Sequence, residues 1–182
     1  SESVDLPTEY LSFTQEERNL IQMATERFDK VILLLNVTNP INMTELSPYD
    51  IDAVLWVGAL GQEGAYAIGE ALNGTVNPSG HLVDTWAADA ASAPAAANLG
   101  DYTITNSDVF AGNKYIVYAE GVYVGYRYYE TRYEDAVLAQ GNAGDFDYDA
   151  QVVYPFGYGL SYTDFSWSDY KMTETADGFA LN

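Results

Sequence analysis

Lys30-Val31-Ile32-Leu33-Leu34-Leu35 is the stretch that decides the fold: one charged residue is followed by five apolar ones with no polar alternation. A strand with one wet face alternates, so an unbroken run predicts a strand covered on both faces, as in a parallel sheet. Upstream, Thr14 stands three residues before Glu17 in capping-box spacing, and Leu20, Ile21, Ala24 and Phe28 recur on one helical face. This spacing predicts a helix over about 14 to 28. Downstream, Ala53-Val54-Leu55-Trp56-Val57 is a second apolar run that ends in glycines. It leads into Ala65-Tyr66-Ala67-Ile68-Gly69-Glu70-Ala71-Leu72, a short helix predicted to stop at Asn73-Gly74. Helix, buried strand, loop, buried strand and helix in succession predict an α/β fold, a three-layer sandwich with a mainly parallel sheet and helices on both faces.

The second half reads differently. Between about 87 and 113 the chain is rich in Ala, Asn, Asp and Ser with weak periodicity, which predicts a long ordered loop or lid. Aromatic and apolar residues dominate from Val122 to Tyr129 and predict late strands near the sheet edge, and Gly141-Asn142-Ala143-Gly144 marks a turn. Phe165, Trp167 and Tyr170 predict one more extended segment. No internal repeat is visible. The expected organisation is one domain over residues 1–165, with 166–182 beginning a linker to a further domain.

With 182 residues, 48% of them hydrophobic, the chain can bury one core without metal or disulfide staples. Zero cysteines exclude a disulfide framework and a thiolate zinc site, and leave the compartment open. No apolar run approaches the roughly 20 residues that span a bilayer, and the basic-then-apolar layout of a signal peptide is missing from residues 1 onward. A soluble chain is expected. The net charge of -20, from 27 acidic against 7 basic residues, repels phosphate backbones and anionic lipid, so nucleic acid and membrane are not expected partners.

Several constellations resolve into structural readings. Gly58, Gly61 and Gly64 follow a strand and open a helix, but a dinucleotide fingerprint needs glycines where Leu60 and Glu63 stand. His81 is the single histidine, which rules out imidazole metal clusters and leaves a serine triad one base to use. Asp145, Asp147 and Asp149 begin a calcium-loop pattern that fails at Ala150 and Phe156, where Gly and Glu are required. Neither metal nor cofactor is expected. Asn36, Asn42 and Asn73 each open an Asn-x-Thr triplet, an acceptor only in a eukaryotic secretory context. Tyrosine is abundant, with 16 in the chain and a cluster from Tyr115 to Tyr133; such rings can face sugars, and their default role is core and domain contact. Arg127 and Glu130 are candidates for an ion pair, a surface one by default.

Five blocks together carry a family resemblance. They are Leu34-Leu35-Asn36-Val37-Thr38-Asn39-Pro40; Gly61-Gln62-Glu63-Gly64 with its helix; Asn77-Pro78-Ser79-Gly80-His81-Leu82; Glu120 to Tyr129; and Tyr154-Pro155-Phe156-Gly157-Tyr158-Gly159-Leu160-Ser161-Tyr162-Thr163. In this order they resemble the C-terminal-type α/β sandwich domain of glycoside hydrolase family 3, the group that includes β-glucosidases and β-xylosidases. The resemblance implies a retaining β-glycosidase that cleaves terminal β-linked glycosides or oligosaccharides without a cofactor. It implies a partner (β/α)-barrel domain in the same protein, carrying the aspartate nucleophile, with this domain covering the cleft and lending the acid/base. Retention needs two carboxyl groups roughly 5 Å apart. Family acid/base glutamates sit in a Gly-Glu-Gly-x-Asp-like loop, and Ser1-Glu2-Ser3-Val4-Asp5 lies in that place with serines for glycines, so Glu2 is the catalytic candidate. The glycines and aromatics of 154–163 are expected to serve the fold. A non-catalytic carbohydrate-binding or scaffold module and a flavodoxin-like nucleotide binder are the alternative readings.

Overall fold

The computed structural model describes residues 8–100, 102–142 and 144–181. Thr14 opens the first helix, α1 (Gln15–Thr25), with the expected capping box: the Glu17 amide donates to Thr14 Oγ1 at 3.2 Å, and the Thr14 amide donates to Glu17 Oε2 at 2.7 Å. The helix stops before Phe28, and of its expected apolar face only Ile21 is buried, with Ala24 half-buried and Leu20 and Phe28 exposed. The two apolar runs form β1 (Ile32–Leu35) and β2 (Ala53–Trp56), paired in parallel with Ile32 beside Ala53 and Leu35 beside Trp56. Their connection passes through a 3₁₀ turn, Met43–Leu46, whose Met43 and Leu46 are buried.

The sheet differs from the expected sandwich. Among the described residues there are four two-stranded sheets, and one of them, β1 with β2, is parallel. Only one face of that pair is covered: Leu33 and Leu35 pack inward with Trp56 beside Leu35, while on the other face Ile32 and Leu34 are 51% and 40% exposed and Ala53, beside Ile32, is exposed too. The physical reason lies in the second half of the chain, where the pairings are antiparallel and add no strand to β1 or β2. After α2 (Gly64–Leu72) come β3 (Trp86–Ala87), α3 (Pro94–Ala97), β4 (Tyr102–Thr103) and β5 (Lys114–Tyr115). Thus the expected loop over 87 to 113 holds short elements, and β4 pairs antiparallel with β5.

The expected late strands at Val122 to Tyr129 are replaced by α4 (Tyr126–Leu138). Gly125 precedes α4 at φ 58°, a left-handed conformation that glycine adopts without steric cost, and a Cβ there would stand 3.1 Å from Asp84 Oδ1. β6 (Val152–Tyr154) follows α5 (Tyr148–Gln151) and pairs antiparallel with β3. The segment expected to be extended, around Phe165 to Tyr170, holds no regular element, and Trp167 is 95% exposed. A hairpin of β7 (Met172–Thr175) and β8 (Gly178–Leu181) comes next, exposed at every residue.

Two clusters make the core, and β3 joins them. Trp86 belongs to the larger cluster with Phe13, Ile21, Leu35, Ile41, Met43 and Leu46; its neighbour Ala87 belongs to the smaller, with Tyr129 and Val152. Successive strand residues point to opposite faces, so two residues suffice to anchor both.

Candidate functional site

Two of the five sequence blocks, 77–82 and 154–163, dock on each other. Asn77 grips the end of the second block from both sides of its amide: Nδ2 donates to Thr163 Oγ1 at 2.5 Å, and Oδ1 accepts from the Tyr162 amide at 3.3 Å. Ser79 Oγ and Ser161 Oγ share a hydrogen bond of 3.0 Å. Backbone bonds extend the seam, from the Leu82 amide to Tyr158 O and from the Gly157 amide to Leu82 O, each 2.8 Å. Next along the chain, Leu82 leads to Trp86, and Tyr154 packs edge-on against Trp86 with ring centroids 6.4 Å apart.

Gly159 is where the seam is tightest. A Cβ there would lie 2.6 Å from Gly80 O and 3.1 Å from His81 Cα, both backbone atoms that cannot swing aside. Gly159→Ala is expected to destabilise the chain by about 1–3 kcal/mol through overpacking, measured as a lower midpoint in urea with unchanged slope. The close approach is at Gly159 and not at Gly157, where nothing lies within 4 Å of an added Cβ.

Other singled-out residues take structural places. His81 is exposed, with Nδ1 2.9 Å from Ser79 O, inside the seam's own loop. Asp147 caps α5, its carboxylate accepting from the Ala150 amide at 3.2 Å, and no metal-holding cluster occurs among the described residues. Glu63 occupies the N-cap position of α2 without a side-chain hydrogen bond. Asn42 is tied at both ends, its Nδ2 donating to Ser12 Oγ at 3.0 Å and its Oδ1 accepting from the Ala90 amide at 3.1 Å. Glu2 lies outside the described residues.

Arg127 and Glu130 do not pair with each other. Arg127 extends over the Tyr126 ring at 5.8 Å, and Glu130 Oε1 accepts the Tyr148 hydroxyl at 2.6 Å. Along α4 the residues Tyr126, Arg127, Glu130 and Glu134, with Val122 and Tyr123, line an open cleft of about 450 Å³. Tyr126 stacks on Phe156 with centroids 4.1 Å apart, which ties the wall of this cleft to the diagnostic block. The cleft presents aromatic rings, a guanidinium and two carboxylates, groups that can hydrogen-bond and pack against a neutral polar ligand or a neighbouring domain. The Tyr148–Glu130 bond was not legible, because the partners stand 18 positions apart and no spacing rule links them.

Burial governs the tyrosines here. Desolvation pushes the Tyr129 phenol up, opposed by the 2.8 Å bond shared with Ser92; Tyr148 is pushed up by desolvation and then by Glu130, and Tyr154 by burial beside Tyr158. Since the folded values exceed the unfolded one, above a pH of about 10 the unfolded chain holds fewer protons than the folded, and stability falls with further rise. Thermal midpoints scanned into alkaline buffer are expected to decline, and Tyr148→Phe is expected to flatten that decline. An identical slope in the variant would remove Tyr148 as its source.

Comparisons with known proteins agree on one family. The family described as Glycosyl hydrolase family 3 C-terminal domain matches residues 1–126. Beta-glucosidase A of Butyrivibrio fibrisolvens is 38% identical over 159 residues, covering 87% of this chain and 16% of that protein. A beta-glucosidase of Ruminococcus albus is 35% identical over 168 residues, 92% of this chain and 15% of the relative. Among solved structures, a beta-glucosidase from Paenibacillus barengoltzii superposes with a TM-score of 0.68 at 32% identity, covering 93% of this chain and 16% of that one. A family 3 beta-glucosidase from Neurospora crassa gives 0.60 at 30% identity, over 92% and 18%. The chain thus spans less than a fifth of the length of each of these relatives. Its match to the family extends over residues 1–126, and the chain belongs to the glycosyl hydrolase family 3 C-terminal domain family.

Proposed function

We propose that the chain is the non-barrel domain of a retaining β-glycosidase, a β-glucosidase in the first instance, that hydrolyses terminal β-linked glycosides. The observation that carries this reading is the family match together with relatives that are beta-glucosidases. In it, a (β/α)-barrel of the same protein supplies the aspartate nucleophile, and this domain supplies a cleft wall and the acid/base Glu2. Because the two carboxyl groups come from different domains, the domains must hold them roughly 5 Å apart, so rigidity of this domain is part of the chemistry. The seam of Asn77, Ser79, Ser161 and Thr163 supplies such rigidity, since it crosslinks segments more than 80 positions apart by side-chain bonds.

The three-layer sandwich belongs to this proposal too. Ile32, Leu34 and Ala53 leave an apolar strand face open to water, and strands buried on one side only are not built from unbroken apolar runs. Further strands and helices of the longer protein would cover it. The proposed domain ends near residue 165, and 166–182 lead to a further domain; a lone hairpin such as β7–β8 is marginal in water and gains stability by joining a larger sheet.

The test is hydrolysis of an aryl β-glucoside by the longer protein, followed by NMR of the first-formed anomer. β-Glucose as first product, with no turnover by the 182-residue chain alone, is the expected result. An initial α-anomer, or turnover by the isolated chain, would overturn the reading.

A further inference from the structure

Asn73 and Gly74 follow α2 directly, and neither the family reading nor the seam uses them. They form the single Asn-Gly pair in the sequence. Three features coincide there. Asn73 is exposed at the C-cap of α2, and its Oδ1 accepts a hydrogen bond from the Thr75 amide at 2.9 Å. Gly74 is exposed, and no atom lies within 4 Å of the place a Cβ would take. The Gly74 amide holds one long bond, 3.3 Å to Ala71 O, in the last turn of the helix, where fraying is easiest.

We infer that Asn73 is a site of spontaneous modification, at which the Gly74 backbone nitrogen closes on the Asn73 side-chain carbon Cγ. The amide proton of Gly74 passes to hydroxide, the N–Cγ bond forms, the Cγ–Nδ2 bond breaks, and ammonia leaves with a proton from water. The product is a five-membered imide. Water then opens it at either carbonyl, leaving aspartate or isoaspartate, with no oxidant or reductant involved. The attack is intramolecular, which removes the entropy cost of bringing the reacting groups together. The Thr75 N–H already points at Oδ1, the oxygen on which negative charge develops, and acts there as an oxyanion-hole donor does. No side chain on Gly74 obstructs ring closure.

The other two triplet asparagines lack this combination. Asn36 precedes the β-branched Val37, and Asn42 is held at both ends of its amide. The consequence reaches the seam, because Asn77 stands four residues beyond Asn73. Aspartate places a negative charge at the C-terminal end of α2, where the helix dipole opposes it. Isoaspartate lengthens the backbone of the turn that presents Asn77 to Tyr162 and Thr163.

The test incubates the intact chain in mildly alkaline buffer made with ¹⁸O water, followed by peptide mass spectrometry and labelling by an isoaspartyl methyltransferase. The expected result is ¹⁸O and the isoaspartyl label at residue 73, both lost in Asn73→Gln, whose longer side chain would need a slower six-membered closure. An unchanged Asn73, under conditions that convert a free peptide of residues 68–78, would overturn the proposal. So would labelling spread equally over the other asparagines.

Discussion

Trp86→Ala is expected to lower the unfolding free energy by about 3–5 kcal/mol, the range for deleting a buried aromatic side chain. Trp86 is 3% exposed and its ring meets Trp56 edge-on at 5.8 Å and Tyr154 at 6.4 Å, so the deletion removes two aromatic contacts as well as buried area. Small domains have total stabilities of about 5–15 kcal/mol, hence the variant loses a large part of its margin. Trp56 also loses a neighbour while its indole N–H keeps its 2.6 Å bond to Val37 O, so the parallel pair β1–β2 is expected to loosen and not to unravel. Chemical denaturation followed by far-ultraviolet circular dichroism reads the midpoint. Trp86→Phe, which keeps a ring, is expected to fall between the two. A loss of under about 0.5 kcal/mol, the size typical of a surface substitution, would show that β3 does not join the two clusters.

How much of this was legible depends on whether the signal was local. The cap at Thr14 and Glu17 is a four-residue motif, and so is legible in the sequence. The apolar runs of β1 and β2 were equally plain, and their parallel pairing followed from the absence of alternation. The helix α4 was not legible, because Tyr126, Tyr128, Tyr129 and Tyr133 have strand propensity. The helix is set by packing of Tyr129 between Ala87, Val152 and the Ser92 hydroxyl, partners far away in sequence. The bounds of β3 are not local either: two residues carry no period, and Trp86-Ala87 is a strand because β6 lies beside it. As for the site, the glycines and aromatics of 154–163 were legible as fold elements, whereas the bonds between Asn77 and Thr163 and between Ser79 and Ser161 join residues 86 and 82 positions apart, which no local pattern links.

For the proposed chemistry, the largest effect belongs to Glu2. In the longer protein, Glu2→Ala is expected to slow cleavage of an alkyl or oligosaccharide β-glucoside by about 10²–10⁴-fold, the usual contribution of a positioned general acid. The leaving group decides how that loss divides. An aryl leaving group of low basicity departs without a proton, so formation of the glycosyl-enzyme is nearly preserved, while its hydrolysis, which needs the same residue as a base, becomes slow. A burst of phenol followed by a low steady rate is the expected trace. Azide needs no general base, so it should restore turnover and trap the sugar as the β-glycosyl azide. The acidic limb of the pH profile belongs to the nucleophile and should persist, while the alkaline limb, set by proton loss from the acid, should vanish. Unchanged cleavage of the alkyl glucoside, with no azide adduct, would move the acid/base role away from Glu2 and leave this domain as a cleft wall.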